Sequence, residues 1–285
     1  MHERCLELLT IINFDNLVAD ELRAQFASAL PLQYVVVDAS LHDIGGASAC
    51  FPMPDWKHWS ALAGEYEKNK FYCRDLSVFP DRLRGIVHEL TSPRFLELLE
   101  EITGIKALIP DPHLEGGGLH LSTEGGILAP HTDFHIYGRL NLYRQLNVIL
   151  YLNETWESGD GGTLRLWDGH RARDDRKEAR IDPLPGRMVI FKTDDRSVHG
   201  FTDPVAAGCT RKSIALYYYT AVDNEVFSGD FTTFWRHDHI GGNSSTRLFA
   251  YRLLLETSRA FSFLAHLVNP QLGLRWWRTR RVQRQ

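Results

Sequence analysis

The spacing of apolar residues changes character twice along the chain, and each change marks a different kind of element. Up to about residue 104, helical and loop signals interleave. Asp15-Asn16 precedes apolar positions at Leu17, Leu22, Phe26 and Leu30, a spacing that predicts a helix closing at Pro31. Val35-Val36-Val37 is a short apolar run suited to a strand, whereas Gly45-Gly46-Ala47-Ser48 and Pro52-Met53-Pro54 read as loops. Ser92-Pro93 opens a second helix. The serine caps it, proline takes the first helical position, and Phe95, Leu96, Leu98, Leu99 and Ile102 form its apolar side before Gly104.

From about 105 to 222 the pattern becomes short β-type runs separated by Gly, Pro and Asp clusters, which favours an antiparallel sandwich or barrel. The charged stretch Asp168 to Arg180 reads as a solvated loop between two strands, with a mobile lid as the alternative. Beyond about 223 lies an extension. Ser244-Ser245-Thr246 is placed to cap a helix through Leu248, Tyr251, Leu254 and Leu255 to Phe263 and Leu267, followed by the basic, aromatic tail Arg275-Trp276-Trp277-Arg278-Thr279-Arg280-Arg281. The chain thus divides into a helical and mixed region at 1–104, a β-rich core at 105–222 and a helical extension with a basic tail at 223–285.

Composition narrows the class. With 285 residues, 44% hydrophobic and 24% charged, this is an ordinary globular chain, able to bury a core without covalent staples. A net charge of −4 argues against a nucleic-acid partner, so the basic tail is expected to pack on the barrel rather than bind nucleic acid. The four cysteines (Cys5, Cys50, Cys73, Cys209) have neither metal nor redox spacing and read as free thiols in a reducing compartment. The charged start Met1-His2-Glu3-Arg4 is unlike a secretory signal, and no apolar run is long enough for a membrane span. The expected setting is cytoplasmic. The oligomeric state is left open.

The chemistry concentrates at His131-Thr132-Asp133 and His199. In a strand, residues i and i+2 share a face, so His131 and Asp133 can reach one metal ion. Two imidazoles and one carboxylate suit the facial triad of non-haem iron(II), which leaves the remaining coordination positions open. The carboxylate favours hydroxylation, since without it a halide could take the vacant position.

Around the triad run Gly125-Gly126-Ile127-Leu128-Ala129-Pro130, Leu146-Asn147-Val148-Ile149-Leu150-Tyr151-Leu152-Asn153, Gly161-Gly162-Thr163-Leu164-Arg165-Leu166, Pro185-Gly186-Arg187-Met188-Val189-Ile190-Phe191 and Arg211-Lys212-Ser213-Ile214-Ala215-Leu216-Tyr217. In this order, over roughly residues 112 to 222, the segments resemble the 2-oxoglutarate- and iron(II)-dependent dioxygenases of the prolyl 4-hydroxylase-like branch. The resemblance implies a double-stranded β-helix, or jelly roll, flanked by helices, with His131, Asp133 and His199 as metal ligands and catalytic centre. It implies iron(II), 2-oxoglutarate and dioxygen as cofactor and co-substrates, ascorbate as a stimulant, and release of succinate and carbon dioxide as a C–H bond is hydroxylated.

By position in the resemblance, Arg211 anchors the far carboxylate of 2-oxoglutarate and Tyr151 donates its hydroxyl to the same group. Arginine suits this because its planar fork bonds a carboxylate in two places. Strand alternation adds Ser213, Ala215 and Tyr217 to the cavity and turns Lys212 away, into solvent. Arg144 and Asn147 fall near the pocket mouth by the same resemblance. With Arg139, Tyr143 and His120 they are candidates for binding the prime substrate, and His120 stands close to where relatives often carry a tyrosine. Arg139, Arg144 and Arg165 are the cations expected to pair with a substrate carboxylate. Gly161-Gly162 reads as a turn, not a phosphate cradle. The expected substrate is a small molecule, an amino acid or cyclic imino acid. The alternatives are a peptidyl residue, and a metal-binding sensor without turnover.

Overall fold

The computed structural model describes residues 10–62, 64–169, 177–221 and 234–235, with scattered positions between 249 and 268. The chain divides into two compact units, Met1–Arg236 and His237–Gln285. The first unit is one large antiparallel sheet with helices. Its strands are β1 (Tyr34–Val37), β2 (Ser60–Leu62), β3 (Glu67–Cys73), β4 (Ile109–Pro110), β5 (Gly118–Thr132), β6 (Ile136–Tyr137), β7 (Leu142–Tyr151), β8 (Leu164–Asp168), β9 (Glu178–Ile181), β10 (Met188–Lys192), β11 (Ser197–Phe201), β12 (Arg211–Thr220) and β13 (Phe234–Trp235). The main path runs β1-β10-β7-β12-β5-β11-β8-β9, and all pairings are antiparallel. This is the jelly-roll architecture, mostly strand with a few helices.

The long strand β5 is what curls it. Its first half pairs with β12 from Gly118 to Ser122, and its second half pairs with β11 at Leu128 and His131. Between them lie Gly125, at φ +72°, and Gly126, where a Cβ would sit 2.7 Å from the Thr123 carbonyl oxygen. Such a corner needs glycine, and it lets the strand bend from its pairing with β12 to its pairing with β11 within the curled sheet. Val205 clamps the corner, accepting from Gly125 N at 2.8 Å and donating to Gly126 O at 3.1 Å.

Alternation along the central strands separates two layers. Leu146, Val148 and Leu150 of β7 and Ile214, Leu216 and Tyr218 of β12 face outward, where helices α1 (Ala19–Ser28), α3 (Asp81–Leu90) and α4 (Pro93–Thr103) cover them with Phe26, Leu83, Ile86, Phe95 and Leu99. Tyr218 Oη donates to the Leu90 carbonyl at 2.7 Å, fixing the end of α3 to the sheet. The opposite residues, Asn147, Ile149 and Tyr151 with Arg211, Ser213, Ala215 and Tyr217, face into the barrel. At about 25 cal/mol per Å² of apolar area, the outer layer supplies most of the driving force, which frees the inner one to be polar.

Several expectations are corrected. The mixed first region holds its expected strand, β1, against β10, and adds one that was not expected, β3, against β5. The first unit also runs beyond residue 222, to Arg236. Gly45 to Ser48 are helical, within α2 (Ile44–Ala49), because Asp43 caps the helix by accepting from Gly46 N at 2.9 Å. The first predicted helix stops at Ser28, before Leu30, where Ala29 turns extended. Within the charged stretch expected as a loop, Asp168 ends β8, buried and paired with Arg196, and Glu178–Ile181 is a strand beside β8. Residues 170–176, and with them any lid, lie outside the described residues. Lys212 is half-buried rather than solvated, its Nζ 3.4 Å from both oxygens of Ser48. In the second unit, positions 249–250, 253–254, 257–258, 260–261 and 264 are helical, within the predicted span. The basic tail lies outside the described residues. No described helix is long and apolar enough to cross a membrane.

Candidate active site

The β5 corner carries His131 against β11, where His131 and His199 are direct register partners. Their rings lie 4.3 Å apart, and Asp133 follows just beyond the end of β5. His131 Nε2 is 3.7 Å from Asp133 Oδ1, and His199 Nε2 is 3.7 Å from Asp133 Oδ2. All three side chains are buried, and their ligand atoms fall within 4.8 Å of one another, the only such cluster among the described residues.

Each ring is oriented from behind. His131 Nδ1 lies 2.8 Å from the Ala129 carbonyl oxygen and His199 Nδ1 3.1 Å from that of Ser197. With Nδ1–H donating to these carbonyls, both Nε2 lone pairs turn towards Asp133, as metal ligation requires. Burial pushes the His199 imidazole down to about 4, which leaves it neutral and able to ligate near pH 7.

Asp133 is held by two inward-facing β7 residues. Arg144 Nη1 is 3.1 Å from Oδ2, and Asn147 Nδ2 donates to the same oxygen at 3.4 Å. The Arg144 guanidinium is clamped between the rings of Phe134 and Tyr217, 3.7 Å and 3.6 Å from their centroids. Burial opposes ionisation of Asp133, but Arg144 and the two imidazoles outweigh it and hold the carboxyl well below its usual range. Arg144 and Asn147 thus fix a triad carboxylate instead of standing free at a mouth.

The cavity beside the triad has two compartments. The inner one, about 70 Å³, has Arg211, Ser213, Ala215, Ile149, Leu164 and Phe201 at its closed end. The outer one, about 230 Å³, is bounded by Leu62, Glu67, Tyr72, Arg74, Glu115, Asp133, Phe134 and Arg144. Lys70, Gly116, His120, Leu128, His131 and Tyr217 border both.

Arg211 is buried at 5% exposure. Its Nε donates to the Gly162 carbonyl at 2.9 Å and its Nη2 to Tyr151 Oη at 3.0 Å. Among the described residues no carboxylate pairs with it. A buried cation without a counter-charge is unfavourable alone and becomes favourable when an anion fills the compartment. The left-handed Gly161 and Gly162, at φ +77° and +60°, form the expected turn and aim the carbonyl at Arg211.

Residues 117–219 match the family model described as the 2OG-Fe(II) oxygenase superfamily. The chain carries a 2OG-Fe(II) oxygenase domain. The protein is accordingly a 2-oxoglutarate-dependent dioxygenase that uses iron(II). Its fold is shared with a Pseudomonas putida prolyl-4-hydroxylase (TM-score 0.51, 16% identity, covering 71% of this chain and 99% of that one). It is shared too with a prolyl hydroxylase from Trichoplax adhaerens in complex with a hypoxia inducible factor oxygen degradation domain peptide fragment (TM-score 0.51, 17% identity, 72% and 90%). A third similar structure is the non-heme alpha ketoglutarate dependent epimerase SnoN from nogalamycin biosynthesis (TM-score 0.52, 16% identity, 71% and 83%).

Of the oxygenase's sequence-predicted residues, the structure brings His131, Asp133, His199, Arg211, Tyr151, Ser213, Tyr217, His120, Arg144 and Asn147 around one cavity or directly behind its wall. Arg139 is exposed in the turn between β6 and β7 and lines neither compartment. Arg165 is turned to Asp203, with both carboxylate oxygens at 2.7 Å, and to Glu178. His120 sits at the partition, and neither ring nitrogen has a hydrogen bond of normal geometry. Missed altogether were the Gly162 carbonyl, the Arg144 clamp, and Lys70 and Tyr72 of β3. Only Arg144 itself was singled out in sequence, by its position in the resemblance; regular alternation would put it opposite Asn147, and the register shift of β7 against β12 between Leu146 and Arg144 turns both inward.

Two tests follow from this geometry. A Cβ on Gly162 would stand 2.9 Å from Arg211 Cδ in a left-handed backbone, so Gly162→Ala must displace the arginine. The 2-oxoglutarate KM should rise severalfold with the thermal midpoint little changed, and an unaltered KM would show that Arg211 is not set by this turn. The second concerns pH. Burial, reinforced by Lys70 and Arg211, lowers His120 to about 3, and His199 lies at about 4, whereas an unfolded histidine titrates near 6.5. Above about pH 6.5 neither state is protonated, so these groups contribute nothing there. Below it the unfolded chain takes protons that the native one refuses. Metal-free protein should therefore lose stability between about pH 6.5 and 4, by up to about 1.4 kcal/mol per pH unit for each histidine. His120→Gln should flatten that slope in melts across the range; an identical slope would contradict the buried neutral imidazole.

Proposed function

We propose that this oxygenase hydroxylates an unactivated C–H bond of a small molecule, an amino acid or cyclic imino acid, while 2-oxoglutarate becomes succinate and carbon dioxide. The observation that carries the reading is the outer compartment. At about 230 Å³ beside the triad, it lies just below the roughly 300–1,000 Å³ typical of small-molecule pockets and is walled by charged and aromatic side chains.

In this reading His131, Asp133 and His199 hold iron(II), and the donor set fits: two imidazoles with converging Nε2 atoms and one carboxylate kept ionised by its surroundings. When bound, the iron and 2-oxoglutarate together supply the oxidising power for C–H cleavage. The chain's own residues position and exclude. Arg211, with Tyr151 and Ser213 beside it, receives the distal carboxylate of 2-oxoglutarate. Arg144 and Asn147 keep Asp133 from rotating. Leu164, Ile149 and Phe201 keep the inner compartment dry, which strengthens the Arg211 contact. Tyr217 serves both compartments, packing on Arg144 and lining the cavity.

The Trichoplax protein holds a peptide on the same fold, so a peptidyl substrate is the competing reading. A sensor without turnover is disfavoured because triad, anchor and cavity are all present. Succinate formation by iron(II)-loaded enzyme, measured against free amino and imino acids and against proline-containing peptides, decides. Stimulation by free compounds, with a product about 16 mass units heavier, supports hydroxylation of a small molecule. Stimulation by peptides alone overturns it, and binding of 2-oxoglutarate without any succinate would indicate a sensor.

A further inference from the structure

The three cations expected to meet a substrate carboxylate are otherwise engaged or remote: Arg144 on Asp133, Arg165 on Asp203 and Glu178, Arg139 exposed outside the cavity. Arg74, at the rim, is paired with Glu115 at 2.7 Å and is half-exposed. Lys70 on β3 remains. Its Nζ is 2.8 Å from Glu67 Oε1, and the two side chains are only 12% and 20% exposed. Lys70 borders both compartments and Glu67 the outer one.

These two residues should not face the same way. Three positions apart in a regular strand, they would point to opposite sides of the sheet. A bulge prevents this. The pairing of β3 with β5 slips between Lys68 and Lys70, and Asn69 takes the left-handed conformation at φ +47°, which asparagine tolerates. Asn69 Nδ2 donates to the Glu124 carbonyl at 2.7 Å and pins the bulge beside the β5 corner. A bulge at a cavity wall re-aims side chains, and this one turns a carboxylate and an ammonium together into the substrate space. A part-buried ion pair gives little net stability, since desolvation offsets the attraction.

We infer that Lys70 and Glu67 recognise a zwitterionic substrate, the ammonium of Lys70 taking the substrate's carboxylate and the Glu67 carboxylate taking its amino or imino nitrogen. The inference rests on the small-molecule reading above and specifies it: both charges of a free amino or imino acid are read, and a peptide-bonded residue offers neither. Lys70 and Glu67 lie outside the residues matched to the family model, so they are features of this chain's own pocket wall.

The test compares free L-amino and cyclic imino acids with the same compounds N-acetylated or converted to carboxamides. Two readouts are succinate formation and the thermal shift of the Mn(II)- and 2-oxoglutarate-loaded protein. Blocking either end should weaken the response at least about tenfold, the worth of one charge-assisted hydrogen bond. Lys70→Gln should level the acid against its carboxamide, and Glu67→Gln the amine against its N-acetyl form. The double variant, which leaves neither charge alone, should lose both preferences. Equal responses to free and blocked compounds in the wild type would overturn the inference while leaving the small-molecule reading intact, as would preferences that survive the substitutions. Stimulation by peptides alone would remove both. If no compound raises succinate, a thermal shift specific to the free compounds and lost in Lys70→Gln supports the inference, and absence of any shift overturns it.

Discussion

Asp133→Ala is expected to abolish succinate formation and also to lower the stability of the metal-free protein by about 3–5 kcal/mol, whereas His131→Ala should abolish activity at much smaller cost. The difference lies in what each side chain leaves behind. His131 gives up its hydrogen bond to the Ala129 carbonyl and its contact with Asp133, and leaves no buried charge stranded, since Asp133 keeps Arg144. Asp133 is the anion facing Arg144, a guanidinium 1% exposed, wedged between Phe134 and Tyr217 with its Nε already lacking an acceptor. Remove the carboxylate and, among the described residues, the buried cation keeps a single hydrogen-bond partner, Tyr219 Oη, 3.4 Å from Nη2. Denaturant melts of the metal-free variants measure this. Asp133→Ala/Arg144→Met should recover most of the lost stability and none of the activity, because it removes the stranded charge but not the ligand deficit. If Asp133→Ala proves as stable as His131→Ala, the ion pair contributes nothing to folding and Arg144 has another role.

That asymmetry was not readable in the sequence, although the triad was. His131 and Asp133 announce themselves because strand geometry lets i and i+2 reach one metal, whereas His199 and Arg211 were picked out by their places in the ordered segments of the resemblance. Arg144 was expected near the pocket mouth, from its position in the resemblance, but its partner lies on another strand's end and its aromatic clamp comes from Phe134 and Tyr217. Only the folded register joins them. The strand carrying Lys70 was illegible for a different reason. Glu67-Lys68-Asn69-Lys70-Phe71-Tyr72-Cys73 has a bulge that breaks its period of two and four polar residues before any aromatic one, so neither periodicity nor β-propensity marks it. Helix α4 was legible because serine cap, proline and left-handed Gly104 are local signals. Helix α2 was not, because its two glycines advertise a loop while the Asp43 cap and buried Ala47 and Ser48 decide otherwise.

Arg211→Met should separate stability from function in the opposite sense. Arg211 donates to Gly162 O and Tyr151 Oη, yet no described carboxylate balances its charge, and burial lowers its pKa. Replacing such a cation by an apolar side chain of similar length removes a desolvation penalty, so the metal-free protein should be as stable as the wild type or slightly more so. The affinity for 2-oxoglutarate should fall at least about tenfold, since a charge-assisted hydrogen bond is worth roughly 1.5–3 kcal/mol and a forked contact offers two. Arg211→Lys should recover only part of that affinity, because an ammonium cannot bond Gly162, Tyr151 and a carboxylate in one plane. Calorimetric titration of Mn(II)-loaded protein with 2-oxoglutarate, paired with thermal melts, reads both quantities. A strongly destabilised variant with unchanged affinity would make Arg211 a structural residue. A stable variant with lost affinity would show that the barrel tolerates an unbalanced cation at its closed end for the sake of the anion it binds there.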